Sequence, residues 1–428
     1  MKKKVIIITY YWPPAGGPGV QRWLKFVKYL PDFGIEPIVY CPENPSYPIT
    51  DRSLIDEVND DITVIKQPIS EPYRLANLLS KNKAKTISSG VIPKQKKQSF
   101  IERTMLYIRG NFFIPDARKN WVKPSVKFLS DYISKHKIDT IITSGPPHSL
   151  HLIGLELQSQ LKLKWIADFR DPWTSIGYHQ KLRLSKSSSE KHKRLERKVL
   201  RSANQIIVTS ANTKSEFSNK TEQPISVITN GYDNTDIEKP ANDEQFSLAH
   251  IGSLLSERNP FKLWKALAEL INENADFRNS FQLKLIGVVS EDVIESLKRF
   301  GIFDYVNNLG YVSHEEAIRA QMCSRVLLLI EIDSEDTKVI IPGKLFEYMA
   351  SETPILAIGP IDTDVETILN QTHTGQYFYY NQQKELKSHI LSLFEKYKSN
   401  NLEVNPIGLE QYNRKELTKK LSLLIKGQ

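Results

Sequence analysis

Ile341-Pro342-Gly343-Lys344-Leu345-Phe346-Glu347-Tyr348-Met349-Ala350-Ser351-Glu352-Thr353-Pro354-Ile355-Leu356-Ala357 reads as a loop, a helix opening at Gly343, a stop, and a buried strand starting at Pro354. Glu347 stands one turn into that helix and Lys344 near its start. A carboxylate in that place can accept hydrogen bonds from both ribose hydroxyls of a nucleotide, and the lysine reaches phosphate or sugar. Helix followed by a short apolar strand is half of a βαβ unit, so the segment points to a parallel sheet covered by helices.

The same alternation runs outward in both directions. Strands are predicted near Val5 to Thr9, Glu36 to Tyr40, Ile62 to Ile65, Thr140 to Thr143, Lys164 to Asp168, Gln205 to Thr209 and Ile225 to Ile228, and these form a first domain. A second series is predicted at Ser247 to Ile251, Gln282 to Gly287, Val306 to Leu309, Arg325 to Ile330 and Ile355 to Ile358. The polar stretch 231–245 has little to bury and marks a linker. The chain of 428 residues exceeds the size at which one hydrophobic core keeps growing, which agrees with two domains.

Apolar residues make up 40% and charged residues 25%, the balance of a folded chain. Cys41 and Cys323 stand far apart with no partner at metal-ligand spacing, so neither a disulfide framework nor a zinc site is suggested, and a reducing cytoplasm is expected. Lys2-Lys3-Lys4 before Val5-Ile6-Ile7-Ile8 mimics a leader, but the apolar run breaks at Thr9 and reads as a buried first strand. No run approaches the ~18 apolar residues of a membrane span, so contact with a membrane would be peripheral. The net charge of +9 lies largely in Lys81 to Lys97, Lys181 to Arg201 and Arg414 to Lys420. That excess favours an anionic partner, either a diphosphate ligand or an anionic lipid surface, or else marks solvated helix faces. No nucleic-acid signature accompanies it, so no nucleic-acid partner is expected. A basic insertion is expected over about 74–113, and its Phe100 to Phe113 part suits an amphipathic surface that touches a membrane or packs on its own domain.

Two further strand-to-helix turns carry glycine. Pro13-Pro14-Ala15-Gly16-Gly17-Pro18-Gly19 follows the first strand, and glycine there lets a backbone approach an anion at a helix start. It matches neither the dinucleotide fingerprint nor a phosphate-binding P-loop, and a merely tight turn is the plain alternative. His250-Ile251-Gly252-Ser253-Leu254-Leu255-Ser256-Glu257-Arg258-Asn259-Pro260 repeats the pattern, with Arg258 offering a fork that matches phosphate oxygens.

The segment around Glu347 resembles the nucleotide-sugar site of family 4 (group 1) glycosyltransferases of the GT-B fold, whose helix typically reads Glu-Ala-Met-Ala-x-Gly-x-Pro. Thr9 to Gln21 is similar to their Gly-rich opening loop, Thr229-Asn230-Gly231-Tyr232-Asp233 to their interdomain Pro-Asn-Gly-Val-Asp, and Gly252 to Arg258 to their phosphate loop. The resemblance implies an α/β, GT-B chain: two Rossmann-like domains facing each other across a cleft, with a C-terminal helix crossing back to the N-terminal domain. The expected bounds are 1–230 for the acceptor-side domain, 246–405 for the nucleotide-sugar domain and 406–428 for the returning helix. Donor binding is assigned to Gly16, Gly17, Gly252, Ser253, Arg258, Gly343, Lys344 and Glu347. Three departures stand out. Val339 replaces the first of the two family glutamates, Ser253 replaces the phosphate-loop arginine, and Glu352 takes the place of a glycine.

The reacting side is expected from two first-domain loops. Thr143 to His151 follows a strand, and His148 matches a family histidine that contacts the donor sugar. Asp168-Phe169-Arg170-Asp171 follows another, so Asp168 and Asp171 are candidates for binding acceptor hydroxyls or serving as base, against the alternative of an Asp–Arg pair holding the loop. The resemblance implies transfer of a sugar from a nucleotide-diphosphate sugar to a glycan or lipid-linked acceptor with retention, in surface-polysaccharide assembly. No cofactor and no metal are expected, because cations and N–H groups take the leaving diphosphate and the only Asp-x-Asp, Asp362-Thr363-Asp364, lies outside the donor motifs. Two other readings keep the fold: a non-catalytic glycan-binding or scaffolding subunit, and a nucleotide-sugar 2-epimerase.

Overall fold

The computed structural model describes residues 2–71, 100–234 and 237–428. The chain divides into two compact units, 1–230 with 414–428, and 231–413.

The first unit holds a seven-stranded sheet: β1 (Lys3–Ile8), β2 (Ile35–Pro42), β3 (Thr63–Gln67), β4 (Thr140–Gly145), β5 (Lys164–Phe169), β6 (Gln205–Val208) and β7 (Ile225–Val227). Its order is β3-β2-β1-β4-β5-β6-β7, all parallel. Ile6 lies between Ile38 of β2 and Ile141 of β4. The continuous apolar run of β1 follows from burial on both faces. Ile6 and Ile8 join the core with Trp121, Leu150 and Trp165, while Val5 and Ile7 join the opposite one with Trp23, Leu24 and Val27.

The second unit holds β8 (Phe246–Ile251), β9 (Phe281–Ile286), β10 (Val306–Gly310), β11 (Val326–Ile330), β12 (Ile355–Gly359) and β13 (Gly375–Tyr379) in the order β10-β9-β8-β11-β12-β13, again parallel. Phe246 and Leu248 face one core and Ala249 and Ile251 the other. In each sheet the chain winds outward one way and then the other, so the order reverses between β1 and β4 and between β8 and β11. Open sheets of this kind take ligands at the carboxyl ends of the strands flanking that reversal.

Three differences from the sequence reading have physical causes. β13 was not expected: it opens on Gly375-Gln376 and lies at the sheet edge, so its apolar signal is confined to Tyr377 and Phe378. Residues 231–245 do not form a free linker but belong to the second unit. There the Asp243 carboxylate accepts from Lys284 Nζ at 2.6 Å, and the Arg325 guanidinium donates to the Asp243 carbonyl at 2.7 Å. Residues 406–413 likewise stay with the second unit, through Phe346 packing on Tyr412, and the return begins at Arg414. In helix Arg414–Lys426 the spacing of Leu417, Leu421 and Ile425 presents one stripe to the first unit's core.

Most of the basic insertion, including Lys81 to Lys97, lies outside the described residues. Its last part is helix Phe100–Phe112, which buries Leu106 and leaves Tyr107, Ile108 and Phe112 exposed. Gly110 permits the close packing of that helix, since a Cβ there would come within 2.8 Å of the Leu182 carbonyl oxygen.

Candidate active site

At the reversal point of the second sheet, β8 ends in the turn at Gly252, whose φ of +109 suits glycine. The turn is stacked on the one after β9. Gly252 N donates to Ile286 O at 2.7 Å and Leu254 N to Val288 O at 2.8 Å, and a Cβ on Gly287 would come within 2.7 Å of the Gly252 carbonyl oxygen. Ser253 is exposed at the tip, and Arg258 sits at the end of a short 3-10 turn.

Helix Lys344–Ala350 is hooked to the same place by Tyr348, whose hydroxyl accepts from Ile251 N at 2.9 Å. Lys344 thereby lies against the turn: its Nζ donates to Ile251 O at 3.0 Å and would be 3.4 Å from a Cβ at Gly252. Neither Lys344 nor Arg258 forms an ion pair among the described residues, and the hydrogen bond from Arg258 Nη1, to Ser253 O, is long at 3.5 Å. Burial lowers the Lys344 ammonium to about 7; Arg258 adds to that and Glu347 opposes it. Burial also lowers the Arg258 guanidinium, against Tyr380, Glu331 and Glu257. Two half-buried cations without carboxylate partners beside a glycine turn form a site for an anion of more than one charge. Gly343 caps the helix in open space, and Glu347, half-buried, accepts from Gln321 Nε2 at 3.4 Å. Six donor-side residues expected from sequence, 252, 253, 258, 343, 344 and 347, are thus gathered on adjoining turns of one sheet edge. Val339, where the family has a glutamate, is half-buried.

The sequence reading missed Glu331. It follows the last residue of β11, is 5% exposed, and accepts from the Tyr377 hydroxyl at 2.7 Å. Burial pushes its carboxyl up to about 7, against the Tyr377 hydrogen bond and Arg258. The available signal was a carboxylate directly ending the apolar run Val326-Leu327-Leu328-Leu329-Ile330.

In the first unit the turns after β1, β4 and β5 adjoin. Gly17, at φ +87, is the N-cap of helix Pro18–Tyr29 with nothing within 4 Å of a Cβ position. Gly16 differs from the expectation of a free anion-binding amide, because its N–H donates to Ile49 O at 3.0 Å. Asp168 also departs from its expected role. It is fully buried and accepts from Arg22 Nη2 at 2.8 Å, from Trp23 Nε1 at 2.9 Å and from Ser144 Oγ at 2.9 Å, which occupies the carboxylate that acceptor chemistry would need. The Asp–Arg pair holding the loop is real, but the arginine is Arg22 on another element. Asp171, by contrast, is half-buried with no hydrogen bond or ion pair among the described residues. Burial raises its carboxyl, with Arg170 opposing.

His148 is 5% exposed, its ring parallel to Trp173 at 5.0 Å, and neither ring nitrogen has a hydrogen-bond partner among the described residues. Burial, then His151, hold it well below the usual histidine range, so it is neutral. Gly145 makes room for the two rings, since a Cβ there would lie 2.6 Å from His151 Nε2 and 3.0 Å from His148 Nδ1. Arg170, also unforeseen, joins the three turns: Nη1 donates to Gly19 O at 3.0 Å, Nη2 to Pro146 O, and its backbone N to Gly145 O at 2.9 Å. Asp362-Thr363-Asp364 starts a helix, Thr363 Oγ1 accepting from Glu366 N at 3.2 Å.

Among known proteins, residues 89–236 match the model of Glycosyltransferase Family 4. No curated protein matches the sequence. Solved structures match over the whole chain. One is sucrose-phosphate synthase from Thermosynechococcus elongatus, at 14% identity and TM-score 0.61, covering 100% of this chain and 99% of that one. Anabaena Alr3699/HepE, solved with UDP, has 11% identity and TM-score 0.62 with 100% of each chain covered. WaaG, a glycosyltransferase involved in lipopolysaccharide biosynthesis, has 12% identity and TM-score 0.57, with 99% of this chain and 100% of that one covered. These identities speak for the fold, two Rossmann-like α/β units of GT-B type, and over residues 89–236 the sequence is similar to Glycosyltransferase Family 4.

Proposed function

We propose that the protein transfers a sugar from a nucleotide-diphosphate sugar to a glycan or lipid-linked acceptor, with retention, in cell-surface polysaccharide assembly. The observation that carries the donor half is the pair Arg258 and Lys344, unpaired among the described residues at the Gly252 turn. As the glycosidic bond breaks, negative charge grows on the departing diphosphate, and preorganised cations at that point lower the barrier more than they stabilise the ground state. Glu347 takes the ribose hydroxyls, with Gly252, Ser253 and Gly343 giving the phosphates room. Because two cations stand where a metal ion would neutralise the diphosphate, transfer is expected to survive a chelator. On the first unit, His148 and Asp171 are the groups for the sugar and the acceptor, with Asp168 and Arg170 holding their loops. HepE, solved with UDP, and WaaG, named for lipopolysaccharide biosynthesis, are the neighbours whose descriptions agree with this reading.

A cytoplasmic setting at the inner membrane face belongs to the same proposal. No helix among the described residues is long and apolar enough to cross a membrane. Tyr107, Ile108 and Phe112 are exposed on helix Phe100–Phe112, which packs through Asn111 Oδ1 to Ser185 N at 2.8 Å beside the basic helix Lys186–Ser202. Exposed apolar side chains on one helix, together with exposed Lys191, Arg194, Arg197 and Lys198 on the other, suit an anionic lipid surface. Flotation with anionic but not neutral vesicles is expected, and failure with both removes this part.

The deciding experiment is a thermal-shift and product assay with UDP-, GDP-, ADP-, TDP- and CMP-linked sugars, with and without EDTA, repeated for Glu347→Ala. Stabilisation by one diphosphate sugar, lost in the variant, and slow donor hydrolysis without acceptor are expected. No shift and no hydrolysis with any donor would favour a non-catalytic subunit, and conversion of the free donor to its epimer would favour an epimerase.

A further inference from the structure

His250, the penultimate residue of β8, is fully buried, and no role follows for it from the family resemblance. Its Nδ1 lies 3.0 Å from the Leu328 carbonyl oxygen, which can only accept, so Nδ1 carries the hydrogen. Burial, followed by Lys344, drives the ring well below the usual histidine range, so it is neutral and Nε2 presents a lone pair. That lone pair faces Lys344 Nζ at 3.4 Å. The lysine therefore rests on two acceptors, His250 Nε2 and Ile251 O, both neutral and both on β8.

We propose that His250 is a positioning residue for the diphosphate: its neutral imidazole accepts a hydrogen bond from Lys344 and holds that amine over the Gly252 turn. The inference rests on the donor reading above and names how its cation is set. Neutral acceptors orient an ammonium without satisfying its charge, so Lys344 remains available to an anion. The groups around the pair act in known directions: Arg258 on the turn disfavours the ammonium and Glu347 on the lysine's own helix favours it. Tyr348 of that helix is engaged with Ile251, and Glu331 beyond β11 bears on Arg258. Since the empty site holds Lys344 at about 7, it is part neutral at physiological pH. A bound diphosphate favours the charged form, so binding draws a proton from solvent onto Nζ while His250 stays neutral.

The test is calorimetric titration of the intact protein with UDP, GDP, ADP and TDP, continued with the tightest binder at pH 7.0 and 8.5 in buffers of different ionisation enthalpy. Affinity is expected to fall roughly tenfold between the two pH values, with fractional proton uptake, because a group titrating near neutrality is almost wholly deprotonated at the higher one. Lys344→Arg should bind with a flat profile, since guanidinium does not deprotonate in this range. His250→Leu should weaken binding roughly tenfold at pH 7.0, and His250→Gln, which keeps an acceptor oxygen, should recover most of it. A flat wild-type profile without proton uptake overturns the inference and leaves the donor reading standing, as does His250→Leu at wild-type affinity. Should His250→Leu fail to fold, the wild-type and Lys344→Arg profiles decide alone. No diphosphate binding to the wild type overturns the donor reading and this inference with it.

Discussion

The turns at the two reversal points are built from the same parts, glycine, arginine and a helix start, but their polar groups are disposed in opposite ways. In the first unit Arg22 and Asp168 satisfy each other in full burial, Arg170 is spent on three backbone carbonyl contacts and the histidines are neutral. In the second, Arg258 and Lys344 are half-buried and make only weak or neutral contacts. A buried charge without a counter-ion costs stability, so its retention in the second unit points to a ligand that supplies the missing charge. Around Asp168 the first-unit turns are satisfied internally, leaving His148 and Asp171 as groups without hydrogen-bond partners among the described residues, whereas the second-unit turn leaves two cations without a carboxylate.

Acid should separate the two most strongly. Burial holds His148 well below its ordinary value, His151 at about 3 and His179 at about 4. Their folded values lie below the unfolded ~6.5, so the unfolded chain binds protons first and stability falls as pH drops below that point. His151 and His179 each contribute a loss of about 2 kcal/mol between pH 6.5 and 5, and His148 acts in the same direction. In the second unit His250 works the same way, but Glu331, raised to about 7, works oppositely: its protonated form is favoured by folding, so stability is gained on acidification. Hydrogen exchange at pH 7 and 5 should show the β4 and β5 amides losing protection while those of β11 and β12 hold theirs. Parallel losses in both units would erase the contrast.

Next in size is Asp168→Ala. It strands the buried Arg22 and is expected to cost ~3–5 kcal/mol of first-unit stability, read from denaturant midpoints. Glu347→Ala, whose carboxylate has only the 3.4 Å contact to Gln321 among the described residues, should leave the melting temperature nearly unchanged and remove the donor-induced shift. If the two variants behaved alike, the division into scaffold and binding edge would not hold.

A third step probes how stiff that edge is. Gly287→Ala puts a Cβ within 2.7 Å of the Gly252 carbonyl oxygen at a φ of +119, a conformation that side chains rarely adopt. The strain, ~1–3 kcal/mol, falls on the Gly252 turn itself. Donor affinity should drop at least as far as stability does. Loss of stability alone would mean that the turn after β9 supports the sheet but does not shape the site.

Much of this was legible in the sequence because a parallel sheet buried on both faces writes itself largely as short apolar runs, and twelve of the thirteen strands among the described residues were expected from it. The placement of the turn proposed for the donor was legible for a similar reason: Gly252, Arg258, Lys344 and Glu347 lie at strand-to-helix junctions, which the apolar runs mark out. What escaped was set by pairing across the sheet. That Asp168 takes Arg22, 146 residues away, and that His250 seats Lys344, 94 residues away, depends on which strands become neighbours, and nothing local to either residue announces it. Glu331 was hidden for the opposite reason, since a carboxylate just past a strand reads as surface until Tyr377 closes over it.

The smallest effect tests whether the binding edge is organised by tertiary contacts at all. Gln321, 3% exposed on helix His314–Cys323, donates to Glu347 at 3.4 Å, and that helix is set by a capping box between Ser313 and Glu316. A hydrogen bond of this kind contributes ~0.5–1.5 kcal/mol, a factor of roughly two to ten in affinity. Gln321→Leu keeps the buried volume and removes the donor, so the empty protein should melt within about a degree or two of the wild type while donor affinity falls by that factor. An unchanged affinity would mean that the first turn of helix Lys344–Ala350 orients Glu347 unaided. In that case the binding edge would depend on β8, its turn and the Lys344 helix, with no contribution from the neighbouring helix.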